Sequence, residues 1–297
     1  MTVKNTETMR HLYVALLCLL LAACSRPAGM PLTVSGNAVY YWRTVFSLSA
    51  AEQAFLSSHH IGRVYCRYFD VVNDGERGPM PHATIAFSGP LPQHVRLVPT
   101  VFIMNDCMTH CPDSLARLIV NRIVQMNETN DVEGVDEIQM DCDYSLRTRA
   151  AYYRFLGQLR SEARRHGFSL SVTIRLHQLS MPAPPADYGV LMLYNTGLPE
   201  RFAERNPILD MRDVTPYLRH LKDYPLPLAA AYPVFQWQRT IHGVQIAHEA
   251  PFSEVMLTKQ AVEKERDDLR QLIIAYHLSE ENIDRYTTSE YEAIYRH

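Results

Sequence analysis

"EIQMDCD", residues 137–143, lies within the longer stretch "EGVDEIQMDCDYSLRTRAAYYRFL" (133–156), and its reading decides the fold. A strand repeats every two residues, so Gln139, Asp141 and Asp143 project to one face while Ile138, Met140 and Cys142 project to the other. The second face asks for burial. The helical pattern that follows carries Phe155, Leu156, Leu159 and Ala163 on one stripe before Gly167, and it is placed to cover that face. The first face is polar and doubly charged. The fold must therefore let a buried strand point carboxylates inward.

Apolar runs and helical patterns alternate on either side of this stretch. "NAVYYW" (37–42) leads into "SAAEQAFLSSHHIG", where Ser49 and Glu52 form a capping-box pattern and Gly62 can end the helix. "RVYCRYFDV" (63–71) and "VRLVPTVFIMN" (95–105) follow, then "PDSLARLIVNRIVQMNE", with Leu115, Leu118, Ile119 and Ile123 on one helical face. Beyond 137–143 come "SLSVTIR" (169–175), "GVLMLYN" (189–195), "LAAAYPVF" (228–235) and "QLIIAYH" (271–277), and Thr287 with Glu290 opens a last helix. Eight strand candidates with intervening helices or long connections predict a single α/β domain, a (β/α)8 TIM barrel over 37–297. No Gly-rich dinucleotide loop follows any strand, which argues against a doubly wound sheet.

A barrel answers the opening question, because its strands bury one face under helices and gather polar groups at the C-terminal mouth. Asp141 and Asp143 belong at that mouth. In 169–175, Leu170, Val172 and Ile174 form the outer face, which leaves Ser171, Thr173 and Arg175 inward. Other strand ends bring Trp42, Arg43, Asp70, Tyr194, Asn195, Tyr232, Trp237 and His277 toward the same rim as a substrate-binding set. Trp42, Tyr194, Tyr232 and Trp237 offer faces on which a sugar can stack. Each is an ordinary strand-end residue by itself, and their convergence is the signal. Of two nearby carboxyls, one can hold a proton as acid while the other stays ionised, which suits glycoside chemistry.

"QMDCD" followed by "MLYN" resembles the chitinase-type glycoside hydrolase barrels, which carry D-x-D-x-E at the end of the fourth strand and M-x-Y-D at the sixth. The resemblance implies Asp143 as catalytic acid, Asp141 as its orienting partner, and Tyr194 as a contact to the acetamido group. Gln139 and Asn195 stand where that pattern has Asp, and Asp143 is one methylene shorter than the Glu of the pattern. The chain is also similar to a group of bacterial lipoproteins described as glycoside-hydrolase-like barrels, through "RYFDV", "IQMDCD" and "AYHLSEENIDRY". That similarity implies an anchor and a barrel but no particular activity. The expected function is glycan binding with hydrolysis by carboxylate acid/base chemistry, substrate-assisted hydrolysis included. On this reading Gln139 and Arg175 fix the carboxylates. The alternative is a non-catalytic carbohydrate-binding or envelope-assembly lipoprotein. A D-x-D glycosyltransferase is the weaker rival, since activated nucleotide sugars are not expected outside the cytoplasmic membrane.

Lys4 and Arg10 flank the start of "LYVALLCLLLAAC", too short an apolar run to span a bilayer but suited to a signal-peptide core. Leu21-Ala22-Ala23-Cys24 resembles a lipobox, so residues 1–23 are expected to be removed, Cys24 lipidated and 24–36 left as a tether. No acidic export string follows Cys24. The expectation is an outer-membrane lipoprotein on the periplasmic face, held through its lipid alone. The formal net charge of −3 is mild, no basic patch points to nucleic acid, and a monomer is expected. Cys107 and Cys111 are disulfide candidates in an oxidising compartment, while Cys66 and Cys142 lie in strand-like runs and read as packing groups. No metal and no cofactor are expected, because zinc-like ligand spacing is absent beyond His110 and the two loop cysteines.

Overall fold

The computed structural model describes residues 32–297 apart from residue 242. The strand-forming runs give eight parallel strands: β1 (Gly36–Tyr41), β2 (Ile61–Asn73), β3 (Arg96–Ile103), β4 (Glu137–Cys142), β5 (Ser169–Ile174), β6 (Tyr188–Met192), β7 (Leu228–Pro233) and β8 (Leu272–Tyr276). Consecutive strands are neighbours, β8 pairs with β1, and β1 pairs with β2, so the sheet closes into a barrel. The predicted TIM barrel is the observed fold. Seven helices are present among the described residues: α1 (Ala50–Ser58), α2 (Leu115–Thr129), α3 (Arg149–Arg165), α4 (Met211–Leu221), α5 (Phe252–Glu265), α6 (Glu280–Ile283) and α7 (Thr288–Ile294).

The capping boxes at Ser49/Glu52 and Thr287/Glu290 both form, and Gly167 follows α3 in the left-handed region at φ 79°. Two crossovers lack a helix, and proline explains both. Between β2 and β3 the chain carries Pro79, Pro81, Pro90 and Pro92, and it instead pairs Pro79–His82 antiparallel with the end of β2. Between β5 and β6, Pro182, Pro184 and Pro185 leave only a short 3-10 turn, Leu176–Ser180. On α2 the buried stripe runs through Leu115, Ile119 and Ile123. Leu118 does not belong to it: the residue is 52% exposed, one position off the stripe.

The barrel interior carries a polar column rather than layers of aliphatic side chains alone. Near the strand starts, the fully buried Glu137 accepts hydrogen bonds from Ser171 Oγ (2.6 Å) and Tyr188 OH, and Arg63 Nη1 lies 3.3 Å from it. Tyr188 OH also lies 2.6 Å from Tyr65 OH. One step higher, Gln139 Nε2 donates to Ser171 Oγ, and Tyr40 OH donates to Gln139 Oε1 at 2.8 Å. The strand register makes this column possible by setting Gln139 opposite Ser171.

The cysteine expectation needs correction, because Cys107 and Cys111 are free thiols. Cys107 lies in the 3-10 turn Asn105–Met108 and turns into the core, its Sγ 3.5 Å from the Val71 carbonyl of β2. Cys111 lies beyond that turn, half-buried, with its Sγ near the Pro112 carbonyl. Cys66 and Cys142 have no exposed surface. Burial also pushes the Cys107 thiol up to about 12, away from the reactive thiolate. Of the four cysteines beyond residue 24, Cys111 is therefore expected to be alkylated first in native protein, at least about tenfold faster than the others. Mass spectrometry that finds Cys107 and Cys111 equally labelled, or joined, would refute this arrangement.

Candidate functional site

At the mouth, alternation along β4 and β5 delivers the side chains the sequence assigned there. Asp141 is buried and accepts from Thr173 Oγ1 at 2.7 Å, while Arg175 Nη1 lies 3.1 Å from the same Asp141 oxygen. Asp143, just past β4, has a side chain 56% exposed. Its Oδ1 faces Arg175 Nε at 3.4 Å and His177 Nε2 at 3.5 Å. Arg175 therefore lies between the two carboxylates, and their charges hold its guanidinium well above the usual arginine range against the cost of burial.

A second ion pair faces the barrel from β2. Strict alternation would put Arg67 and Asp70, three residues apart, on opposite faces. The register of β2 against β3 slips between Arg67 and Phe69, and this bulge brings both to one face, where Arg67 pairs with Asp70. Tyr68 is turned outward by the same slip, and its hydroxyl bonds Asn127 of α2 at 2.8 Å.

Rings complete the mouth. Tyr276 meets Tyr40 at 5.5 Å, Trp42 at 6.0 Å and Phe235 at 5.4 Å, and it stacks on Tyr194 at 4.3 Å and 18°. Arg67 lies 5.6 Å from the centre of Trp42. Phe235 continues the cluster to Trp237 at 5.9 Å, and Trp237 stacks near Phe202. Trp237 belongs to a hairpin, Gln236–Ile241 paired with Val244–Glu249, inserted after β7. Among the described residues, the hydroxyls of Tyr194 and Tyr276, the Trp42 indole N–H and Asp143 Oδ2 make no hydrogen bond to the protein.

Several expected site residues lie elsewhere. Gln139 has no exposed surface and bonds Tyr40 and Ser171 one step below Asp141, making no hydrogen bond to the carboxylates it was expected to fix. Tyr232 is wholly buried on the outer side of β7, with Lys259 of α5 5.8 Å from its ring centre. Arg43 leaves the barrel axis to pair with Glu52 of α1 and lies over the Tyr41 ring at 4.3 Å. His277 packs by Phe235, and Asn282 Nδ2 donates to its carbonyl, which places it behind the mouth. Asn195 is exposed on the rim at φ 52°. Cys24 falls outside the described residues. Tyr276, Phe235, Arg67 and His177 are the mouth residues that the substrate-binding set lacks. Among the described residues no group of three or more His, Cys, Asp or Glu is arranged to hold a metal ion, and no helix is long and apolar enough to cross a membrane.

A closed parallel (β/α)8 barrel is also the architecture of solved chitinase structures. Solved structures agree at the level of the fold. A chitinase from Chromobacterium violaceum superposes with a TM-score of 0.57 at 13% identity, over 88% of this chain and 98% of that one. The spore cortex-lytic enzyme SleL of Bacillus megaterium gives 0.55 at 12%, over 88% and 73%. A chitinase from Bacteroides thetaiotaomicron gives 0.55 at 10%, over 85% and 94%. No protein-family model matches the sequence, and a search of curated proteins finds no match.

Proposed function

We propose that this chain is a cell-envelope lipoprotein whose barrel mouth binds a glycan and, in the arrangement seen here, holds it without hydrolysing it. One observation carries this reading: Arg175 lies between Asp141 and Asp143. A general acid must point its carboxyl at the glycosidic oxygen, and Asp143 instead turns Oδ1 toward the Arg175 guanidinium at 3.4 Å. The rings around Tyr276 and the unpartnered polar atoms of Trp42, Tyr194 and Tyr276 are what sugar recognition needs, namely apolar faces to stack on and hydrogen-bonding groups at their edges. Chitin oligomers are the first ligands to try, since chitinases share the fold.

Hydrolysis is the second reading, and a specific feature favours it. Asp143 stands half-exposed above the buried Asp141, as an acid stands above its orienting partner. Calorimetric titration with a neutral chitin oligomer, alongside product analysis, separates the two. For a binding barrel, Asp143→Asn changes affinity by no more than about threefold and there is no turnover to lose. For a hydrolase the same substitution lowers turnover by about 10² or more.

Anchoring is proposed through Cys24, with the barrel on the periplasmic face of the outer membrane. Labelled palmitate is expected to enter the wild-type chain and to be absent from Cys24→Ala. Incorporation that survives the substitution defeats the anchor.

A further inference from the structure

We infer that the mouth prefers a glycan carrying free amines, in the manner of a glucosamine polymer, to its neutral N-acetylated counterpart. This deepens the glycan-binding reading and rests on it.

Arg67 is matched by Asp70, and Arg175 is shared by Asp141 and Asp143. Counted against these two arginines, the three aspartates leave the mouth with one carboxylate charge in excess. That excess is presented outward, because Asp141 is buried whereas the Asp143 side chain is 56% exposed. Both contacts that Asp143 receives, from Arg175 Nε and His177 Nε2, fall on Oδ1. Its Oδ2 has no protein partner of its own among the described residues. A half-exposed, unpartnered carboxylate oxygen is an acceptor for a charged N–H donor.

The rings beside it add to the preference. An ammonium is attracted to aromatic faces, Trp most strongly, and the Trp42 face already accepts the Arg67 guanidinium at 5.6 Å. The stacked pair Tyr194 and Tyr276 extends this electron-rich surface. An anionic sugar fits poorly. Neither guanidinium is free, and the unmatched charge has the wrong sign. Nor is a metal ion favoured, because among the described residues no three His, Cys, Asp or Glu side chains are grouped to hold one. A sugar amine combines the cation that Asp143 and the rings accept with the pyranose face that the rings can stack against.

The experiment titrates the full mature protein, at near-neutral pH, with a glucosamine oligomer and an N-acetylglucosamine oligomer of the same length. The free-amine oligomer is expected to bind about five- to tenfold more tightly, on the scale of one exposed ion pair plus one cation–π contact. The advantage should shrink as salt is raised, and Asp143→Asn should cut it by about twofold or more, the share of the exposed ion pair. Asp143 is exposed, so the variant is expected to fold, which its circular dichroism checks. Equal or tighter binding of the N-acetylated oligomer overturns the inference and leaves the glycan reading intact. So does a preference that is undiminished in Asp143→Asn. Failure of both oligomers to bind overturns the glycan reading and the inference together.

Discussion

Glu137→Ala is expected to lower the free energy of unfolding by about 3–5 kcal/mol, the range for removing one member of a buried charged cluster. Glu137 has no exposed surface and serves three groups: the Ser171 and Tyr188 hydroxyls and one nitrogen of Arg63. Alanine leaves the Ser171 hydroxyl, inside a closed barrel, without its acceptor, weakens the set of contacts around Arg63, and opens a cavity where no loop can collapse. Glu137→Gln keeps the shape and isolates the charge. Burial, the largest effect on this carboxyl, pushes it above its ordinary value of 4.5, against the lowering effect of Ser171, Tyr188 and Arg63. The native state therefore holds the proton more tightly than the unfolded chain does. The resulting stability is present below the unfolded value and is lost as pH rises through the native one. Wild type should accordingly lose stability relative to Glu137→Gln as pH rises from 4.5 toward neutrality. Urea melts of the three proteins check both statements. An alanine variant within about 1 kcal/mol of wild type would show that the polar column is not holding the barrel together.

Arg175→Met carries the second large effect. It strips a buried carboxylate, Asp141, of the one cation within ion-pair distance among the described residues and leaves it the Thr173 hydroxyl as hydrogen-bond donor. Removing one partner of such a pair costs about 3–5 kcal/mol, mostly because the remaining charge is stranded. Adding Asp141→Asn removes that stranded charge, so the double variant should recover at least about half of the loss. If the second substitution restores nothing, Arg175 serves the fold by packing and not by neutralising Asp141.

How much of this was legible in the sequence depended on contrast between strand faces. In β4 and β5 one face is apolar and the other polar, so Asp141, Asp143, Thr173 and Arg175 could be placed by counting alone. The same parity reaches back to Glu137, at the end of the stretch where a charged residue reads most easily as a solvated strand start. In β7 and β8, "LAAAYP" and "LIIAY" are apolar on both faces, and alternation carries no information. Tyr232 and His277 were accordingly expected at the mouth, where Phe235 and Tyr276 stand. The bulge in β2 was equally silent, because nothing in "RYFD" marks the residue at which the register slips. Cys107 and Cys111 were separated by a 3-10 turn that the spacing of two cysteines does not reveal.

The hairpin after β7 has a consequence for how such a chain can diversify. Its two strands hydrogen-bond to each other and form a sheet apart from the barrel. It is moored to the neighbouring β6 loop, through Asn206 to the Glu249 carbonyl and His248 to the Phe202 carbonyl. It nevertheless supplies Trp237 to the aromatic cluster. Insertions, deletions and substitutions there leave every barrel pairing untouched while moving one wall of the mouth. Selection for a new ligand can therefore act on the hairpin at little cost to folding, and in descendants of this chain, ligand preference is expected to drift there first.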